Sequence, residues 1–298
     1  MMKNSRPHYT IFLRKMIIMN KKYITALLLF LFVSCIRLYA MNQCHVVWVY
    51  PDNLNREQEM EKLDSCLRSS GLVSQSLLLD FSTQRITIGQ LTDSLHSFLE
   101  HQAHQQSEGI ILCSIGDCSY VAMQEAQNNN KIKMLITLSG VFLPGDDYVY
   151  NKYSLLENKR TQDSCTVSLK KMDKLKDIFN MIQRIREGKA DVKSTPKDPF
   201  VLGCWMFLSS NLGKSVVRFD TRQVLPRLHC PCFAIYSEKD VSWDFLSHQE
   251  FLQKQLNRTP VLYETLGPMQ YSGKLLHPKN LNILFKRIMN LLKMSSDD

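Results

Sequence analysis

Three nucleophile-type side chains, Ser114, Cys118 and Ser119, crowd into one short polar turn, Ser114-Ile115-Gly116-Asp117-Cys118-Ser119. A hydroxyl or thiol on such a turn performs acyl transfer when a neighbouring base activates it and fixed N–H donors receive the oxyanion. Ser114 comes too early, at the end of an apolar run, and Ser119 falls inside the helix that follows, so Cys118 is the strongest of the three. Metal chemistry has less to work with. His96, His101 and His104 are spaced by five and three, whereas two ligands on one helix face want i, i+4, so they read as a solvated helix end. Among the nine cysteines, Cys113/Cys118 and Cys230/Cys232 lack the C-x-x-C spacing of redox and zinc sites. They read as small buried apolar residues, with one or two disulfides in an exported chain. No metal and no cofactor are implied.

The turn must be held by the elements around it. Ile110-Ile111-Leu112-Cys113 is a continuous apolar run, as suits a strand buried on both faces of a parallel sheet. Tyr120, Val121, Met123 and Ala126 then trace a helix leaning on the sheet, and Met134–Leu138 returns as a second buried strand. Upstream, His45–Tyr50 is the first strand and Arg56–Ser70 an amphipathic helix with Met60, Leu63 and Leu67 on one face, ended by Gly71. Val73–Phe81 is a strand and Ile88–His101 a helix with Leu91, Leu95 and Phe98 at helical spacing. Downstream, 145–200 is polar and Lys-rich, with a helical stripe over Met172–Arg186. Leu228–Tyr236 and Val261–Leu266 read as strands, and Leu281–Leu292 as a final helix. The 298 residues, 44% apolar, suffice for one large α/β domain.

The strand–turn–helix unit resembles the nucleophile elbow of α/β-hydrolases, G-x-S-x-G, and in particular the secreted bacterial serine-aminopeptidase-like, esterase-like branch. There the elbow G-H-S-x-G-G runs without gaps into a small-Gly-x-x-x-Pro-Gly-Asp segment. Ser139-Gly140-Val141-Phe142-Leu143-Pro144-Gly145-Asp146 is similar to that segment, and Cys230-Pro231-Cys232 through Glu238-Lys239-Asp240 is similar to the strand that delivers the triad acid. The resemblance covers most of 45–292. It implies an α/β-hydrolase-like, mostly parallel sheet flanked by helices, with a helical cap at about 146–200 and a shortened N-terminal edge.

The same resemblance puts Gly116 at the nucleophile position, where a serine is expected. Asp240 stands at the acid position, retained, and Tyr271 at the base position, where a histidine is expected. A phenol with an ordinary pKa of about 10 is a poor base at neutral pH. The strand end that should supply an oxyanion N–H reads Tyr50-Pro51-Asp52-Asn53, and Pro51 has no N–H. Two functions follow. In one, the site has lost its chemistry and the chain binds a small molecule, a peptide or a protein in the inherited cleft. In the other, the elbow is shifted by two residues and Cys118 is the nucleophile of an ester, thioester or peptide hydrolase, with Asp240 and His277 completing the set. Against the shift, Tyr120 would then stand where a closing glycine is needed.

Residues 1–40 read as a secretory leader: Lys21-Lys22, the apolar run Ile24–Val33, and Leu38-Tyr39-Ala40 at a cleavage point, with Met19 as an alternative start. The domain then runs over 41–298. Ten apolar residues are too few to span a bilayer, and no transmembrane span is expected in the mature chain. Phe32-Val33-Ser34-Cys35 offers lipidation at Cys35 as an alternative end, but Phe stands where Leu is usual. The expected location is periplasmic or secreted. The net charge of +9 sits largely in the leader and the last third, with no basic run interleaved with aromatics, so nucleic acid is not an expected partner.

Overall fold

Six apolar runs pair into one parallel sheet: β1 (Cys44–Pro51), β2 (Val73–Leu79), β3 (Gly109–Ile115), β4 (Ile132–Leu138), β5 (Cys232–Ser237) and β6 (Val261–Leu266), in the order β2-β1-β3-β4-β5-β6. The structure is a computed structural model that describes residues 44–52, 57–83, 85–103, 109–161, 169–189, 195–237, 245–255, 261–266, 286 and 288–290. The helices are α1 (Glu57–Ser69), α2 (Ile88–Ala103), α3 (Cys118–Asn128), α4 (Gly145–Thr161), α5 (Leu169–Arg186), α6 (Pro199–Ser209), α7 (Asn211–Arg218), α8 (Thr221–Val224) and α9 (Phe245–Gln255).

Parallel strands need crossovers, which put helices on both faces and bury the sheet twice. Every residue of β3 is accordingly buried. One face carries Val47, Val49, Ile110, Leu112 and Leu135 against α2, α3 and the helices of the 145–218 region. The other carries Val46, Trp48, Ile111, Cys113 and Ile136 against Met60, Leu63 and Leu67 of α1, with Ile288. The winding reverses between β1 and β3: β2 lies on one side of β1 and β3 on the other. That reversal makes the carboxyl ends of β1 and β3 the place where α/β folds put ligands.

The expected parallel sheet, flanking helices and elbow unit are present. Three details differ from those expectations or add to them. First, β2 stops at Leu79, because the Asp80 carboxylate folds the next residues into a turn, accepting from the backbone N–H groups and hydroxyls of Ser82 and Thr83. Those donors hold its carboxyl well below the usual carboxylate range. Second, within the region expected to be helical, 145–161 is one helix that no amphipathic stripe signals: Tyr148, Val149, Tyr150 and Tyr153 spread around α4, which is packed on more than one side. Third, Cys66, Cys113, Cys118, Cys204, Cys230 and Cys232 are all free thiols. Cys113 and Cys118 flank the elbow but enter the cores on opposite faces of the sheet, so they cannot pair. Among the described residues no single helix is long and apolar enough to cross a membrane.

Candidate functional site

β3 ends at Ile115, and the chain reverses through Gly116, whose φ is +56°. A side chain at that φ is strained in an L-residue, and glycine takes it freely. The Gly116 N–H donates to the Leu138 carbonyl at 3.0 Å and its own carbonyl accepts from the Ser119 N–H at 3.1 Å, so the turn is closed by backbone alone. α3 starts at Cys118, directly above the sheet. The strand therefore turns into the helix at Gly116.

Cys118 has no solvent-exposed surface, and burial, with the Asp117 and Asp52 carboxylates adding, pushes its thiol well above the ordinary range. A thiol so placed stays protonated, and the thiolate is the nucleophile. Ser114 is also fully buried, within β3, and its Oγ has no partner among the described residues. Ser119 is buried in the first turn of α3 and fully engaged: its Oγ accepts from the Val141 N–H at 2.7 Å and donates to the Val141 carbonyl at 3.1 Å. Of the turn Ser114–Ser119, only Asp117 is more than marginally exposed.

Asp117 is met by α4. The Tyr148 hydroxyl donates to its Oδ1 at 2.6 Å, and Lys152, one turn along, lies 3.8 Å from Oδ2 and donates to the Tyr148 hydroxyl at 3.3 Å. Burial and the Asp117 charge push the Tyr148 phenol far above its usual pKa, so it remains a donor. Tyr148 and Lys152 were not among the candidates from sequence. The signal available was their i, i+4 spacing just after Asp146-Asp147, which is legible only once 145–161 is known to be a helix. At the end of the neighbouring strand, β1 finishes in Pro51, and the Asp52 carboxylate that follows accepts from the Phe81 N–H at 3.1 Å. Pro51 thus has no N–H to offer an oxyanion, and the Asp52 carboxylate is an acceptor already engaged.

The Leu138–Asp146 segment has a clear structural task. Ser139, at φ +48°, is tied to the Ile235 carbonyl at 2.9 Å. A Cβ on Gly140 would lie 2.7 Å from the Thr137 side chain, and the Gly140 carbonyl accepts from Tyr236. Val141 is clamped by Ser119, and Leu143 accepts from the Tyr120 hydroxyl at 2.8 Å. A Cβ on Gly145 would meet the Val216 carbonyl oxygen at 1.6 Å, so α4 and α7 touch backbone to backbone there. Asp146 is buried and pairs with Arg186 of α5 at 2.6 Å. The segment fastens the elbow helix to the 145–218 layer.

A buried histidine, which the sequence did not single out, belongs to this scaffold: His248 of α9 accepts from the Phe142 N–H through Nδ1 at 3.3 Å. Asp240, Tyr271 and His277 lie outside the described residues. Among the described residues no three His, Cys, Asp or Glu side chains gather to hold a metal ion. His96 instead reaches the buried Glu125, Nδ1 to Oε1 at 2.9 Å, and Asn129 donates to the same oxygen at 2.8 Å.

No family model matches the chain, and no curated protein sequence matches it. Solved structures do resemble it. A carboxylesterase structure from the thaumarchaeon Nitrososphaera gargenis aligns with a TM-score of 0.55 at 14% identity, over 85% of this chain and 91% of that one. Est1E of Butyrivibrio proteoclasticus aligns with a TM-score of 0.53 at 10% identity, over 86% and 89%. A Pyrococcus furiosus esterase gives 0.53 at 11%, over 85% and 82%. The chain has the α/β-hydrolase fold, and at these identities the similarity is one of fold.

Proposed function

We propose that this chain is an exported α/β-hydrolase-fold protein that has given up acyl transfer and uses the crevice at the elbow to bind a small molecule, a peptide or a protein. One observation carries the reading: the elbow apex is a glycine in the left-handed region, with no nucleophilic side chain. Acyl transfer needs a nucleophile, a base beside it and oxyanion donors together. Gly116 supplies no nucleophile, and Pro51 supplies no N–H. The side chain that does face solvent, Asp117, is taken up by Tyr148 and Lys152, which makes a mouth of paired donors and acceptors suited to recognising polar groups. The chemistry of Tyr271 at the base position points the same way. The leader in 1–40 supports export, to the periplasm or beyond.

The reading with Cys118 as nucleophile, beside Asp240 and His277, requires a thiolate open to substrate, and full burial of Cys118 stands against it. The test is turnover of short-chain p-nitrophenyl esters by the mature chain, by Cys118→Ala and by Gly116→Ser. All three are expected to match the buffer rate, Gly116→Ser included, because Tyr271 gives a new serine no base. Turnover by the parent that Cys118→Ala abolishes would overturn the reading.

A further inference from the structure

β2 is an edge of the sheet: one side pairs with β1, and among the described residues no strand lies on the other. An edge strand offers a row of free N–H and C=O groups, and monomeric proteins blunt such edges with charges, prolines, bulges or very short strands. β2 uses none of these devices. It is seven residues long, Val-Ser-Gln-Ser-Leu-Leu-Leu, without a charge or a proline, and its register with β1 runs unbroken from Val73 to Leu79. Two of its large apolar residues stay open to solvent, Val73 at 51% and Leu78 at 46%. Such an edge is a template for a further strand.

The helix above β2 identifies the occupant. α1 leaves β1 and returns to β2, so it runs antiparallel to both. It also covers both: Met60, Leu63 and Leu67 pack with Val46 and Trp48 of β1, and the Asp64 carboxylate accepts from Ser74 and Ser76 of β2 at 2.5 and 2.9 Å. Ser76 is the midpoint of β2, and Asp64 is held at that level. Glu61 and Arg68, both exposed, stand one turn to either side of Asp64 on the same stripe, with Arg68 reaching Asp64 at 3.8 Å. An acid and a base are thus placed symmetrically about the middle of the edge.

We propose that the mature chain forms a two-fold dimer in which β2 pairs antiparallel with β2 of a second copy, the axis standing on the sheet near Ser76. That pairing sets Ser74 against the partner's Leu78 and Gln75 against the partner's Leu77, so no like charges meet across the edge. A two-fold perpendicular to the sheet leaves both α1 helices on one face. Each lies over β1 and β2, so their axes fall two strand spacings apart, about 9–10 Å, which is the separation of packed helices. They run antiparallel, and Arg68 then meets the partner's Glu61 at two symmetric contacts. Leu78 shares the α1 face with Ser74 and Ser76, and the stem of the partner's Arg68 covers it. One axis satisfies strand and helix together, as an isologous interface requires and an unrelated strand does not. β2 stands two strands from β3, so the elbow stays open and the dimer is independent of the reading above.

Sedimentation equilibrium of the mature chain at low ionic strength, over a micromolar-to-submillimolar series, tests it. The mass is expected to rise to that of two chains. Glu61→Arg and Arg68→Glu each bring like charges together at both symmetric contacts, and each should weaken the dimer about tenfold. The double variant restores opposite charges and should dimerise like the parent. Leu78→Lys puts a charge on the edge and should leave monomer alone. All of these residues are exposed, and melting curves like the parent's separate lost pairing from lost folding. A mass of one chain throughout the series would overturn the proposal. So would a dimer that folded Leu78→Lys protein forms as tightly as the parent, because its contact would lie elsewhere. A dimer that both single reversals weaken and the double variant does not restore would overturn the axis at Ser76.

Discussion

Replacing Ser119 by alanine should cost this protein far more than replacing Ser114, although both are fully buried serines of the same turn. Ser119 Oγ exchanges two hydrogen bonds with Val141, at 2.7 and 3.1 Å, and Val141 is itself fully buried. Two such bonds contribute about 2 kcal/mol, and stranding a buried N–H and carbonyl raises the loss to about 2–4 kcal/mol. Ser114 Oγ has no partner among the described residues, so its removal relieves a desolvated hydroxyl and should leave stability within about 1 kcal/mol of the parent. Urea unfolding reads the contrast directly. With a slope of about 2–3 kcal/mol per M, Ser119→Ala should lower the midpoint by about 1 M at unchanged slope, and Ser114→Ala should hardly move it. Midpoints for the two variants within about 0.2 M of each other would refute the view that Ser139–Asp146 is retained to clamp the elbow helix.

Three further outcomes follow. Gly145→Ala places a Cβ 1.6 Å from the Val216 carbonyl oxygen, which forces α4 and α7 apart. A loss of about 3 kcal/mol and a fall in Tm of roughly 10 °C are expected by calorimetry, and an unchanged Tm would contradict the backbone contact. The His96 ring is held to the buried Glu125, which raises its pKa, so its contribution is complete below the unfolded value of about 6.5 and is lost as pH rises through the folded value. The stability gap between the parent and His96→Gln should therefore close on going from pH 5.5 to pH 9 in urea melts, and a gap that is constant or widens would be inconsistent. Native alkylation at pH 8 with peptide mapping should leave Cys113, Cys118 and Cys232 unmodified, since burial raises all three thiols. Rapid labelling of Cys118 would show that the elbow thiol is open.

What the sequence revealed and what it concealed divide along physical lines. Continuous apolar runs such as Ile110–Cys113 and Met134–Leu138 can be stable only as strands covered on both faces, so the parallel sheet was legible. A glycine between such a strand and a helix pointed to the left-handed turn at Gly116. The resemblance implied helices over 146–200, but the extent of α4 was hidden because it is packed on several sides and shows no single stripe, and the Asp117–Tyr148–Lys152 cluster, which depends on its i, i+4 spacing, was hidden with it. Burial of the cysteines was legible from their apolar surroundings, as at Cys113 and Cys232, but their pairing was not, and the six described cysteines are free thiols. The deciding facts, which face of the sheet each residue enters and how far apart Cys113 and Cys118 are held, exist only in three dimensions.

The account rests most heavily on the absence of a working nucleophile at the elbow. Rapid mixing of the mature chain with p-nitrophenyl acetate, at concentrations where one acyl group per chain would be seen, addresses that directly. The account predicts no stoichiometric burst of p-nitrophenolate and traces identical for the parent and Cys118→Ala. A burst of about one equivalent that disappears in Cys118→Ala would establish an acyl-enzyme on that thiol and contradict it.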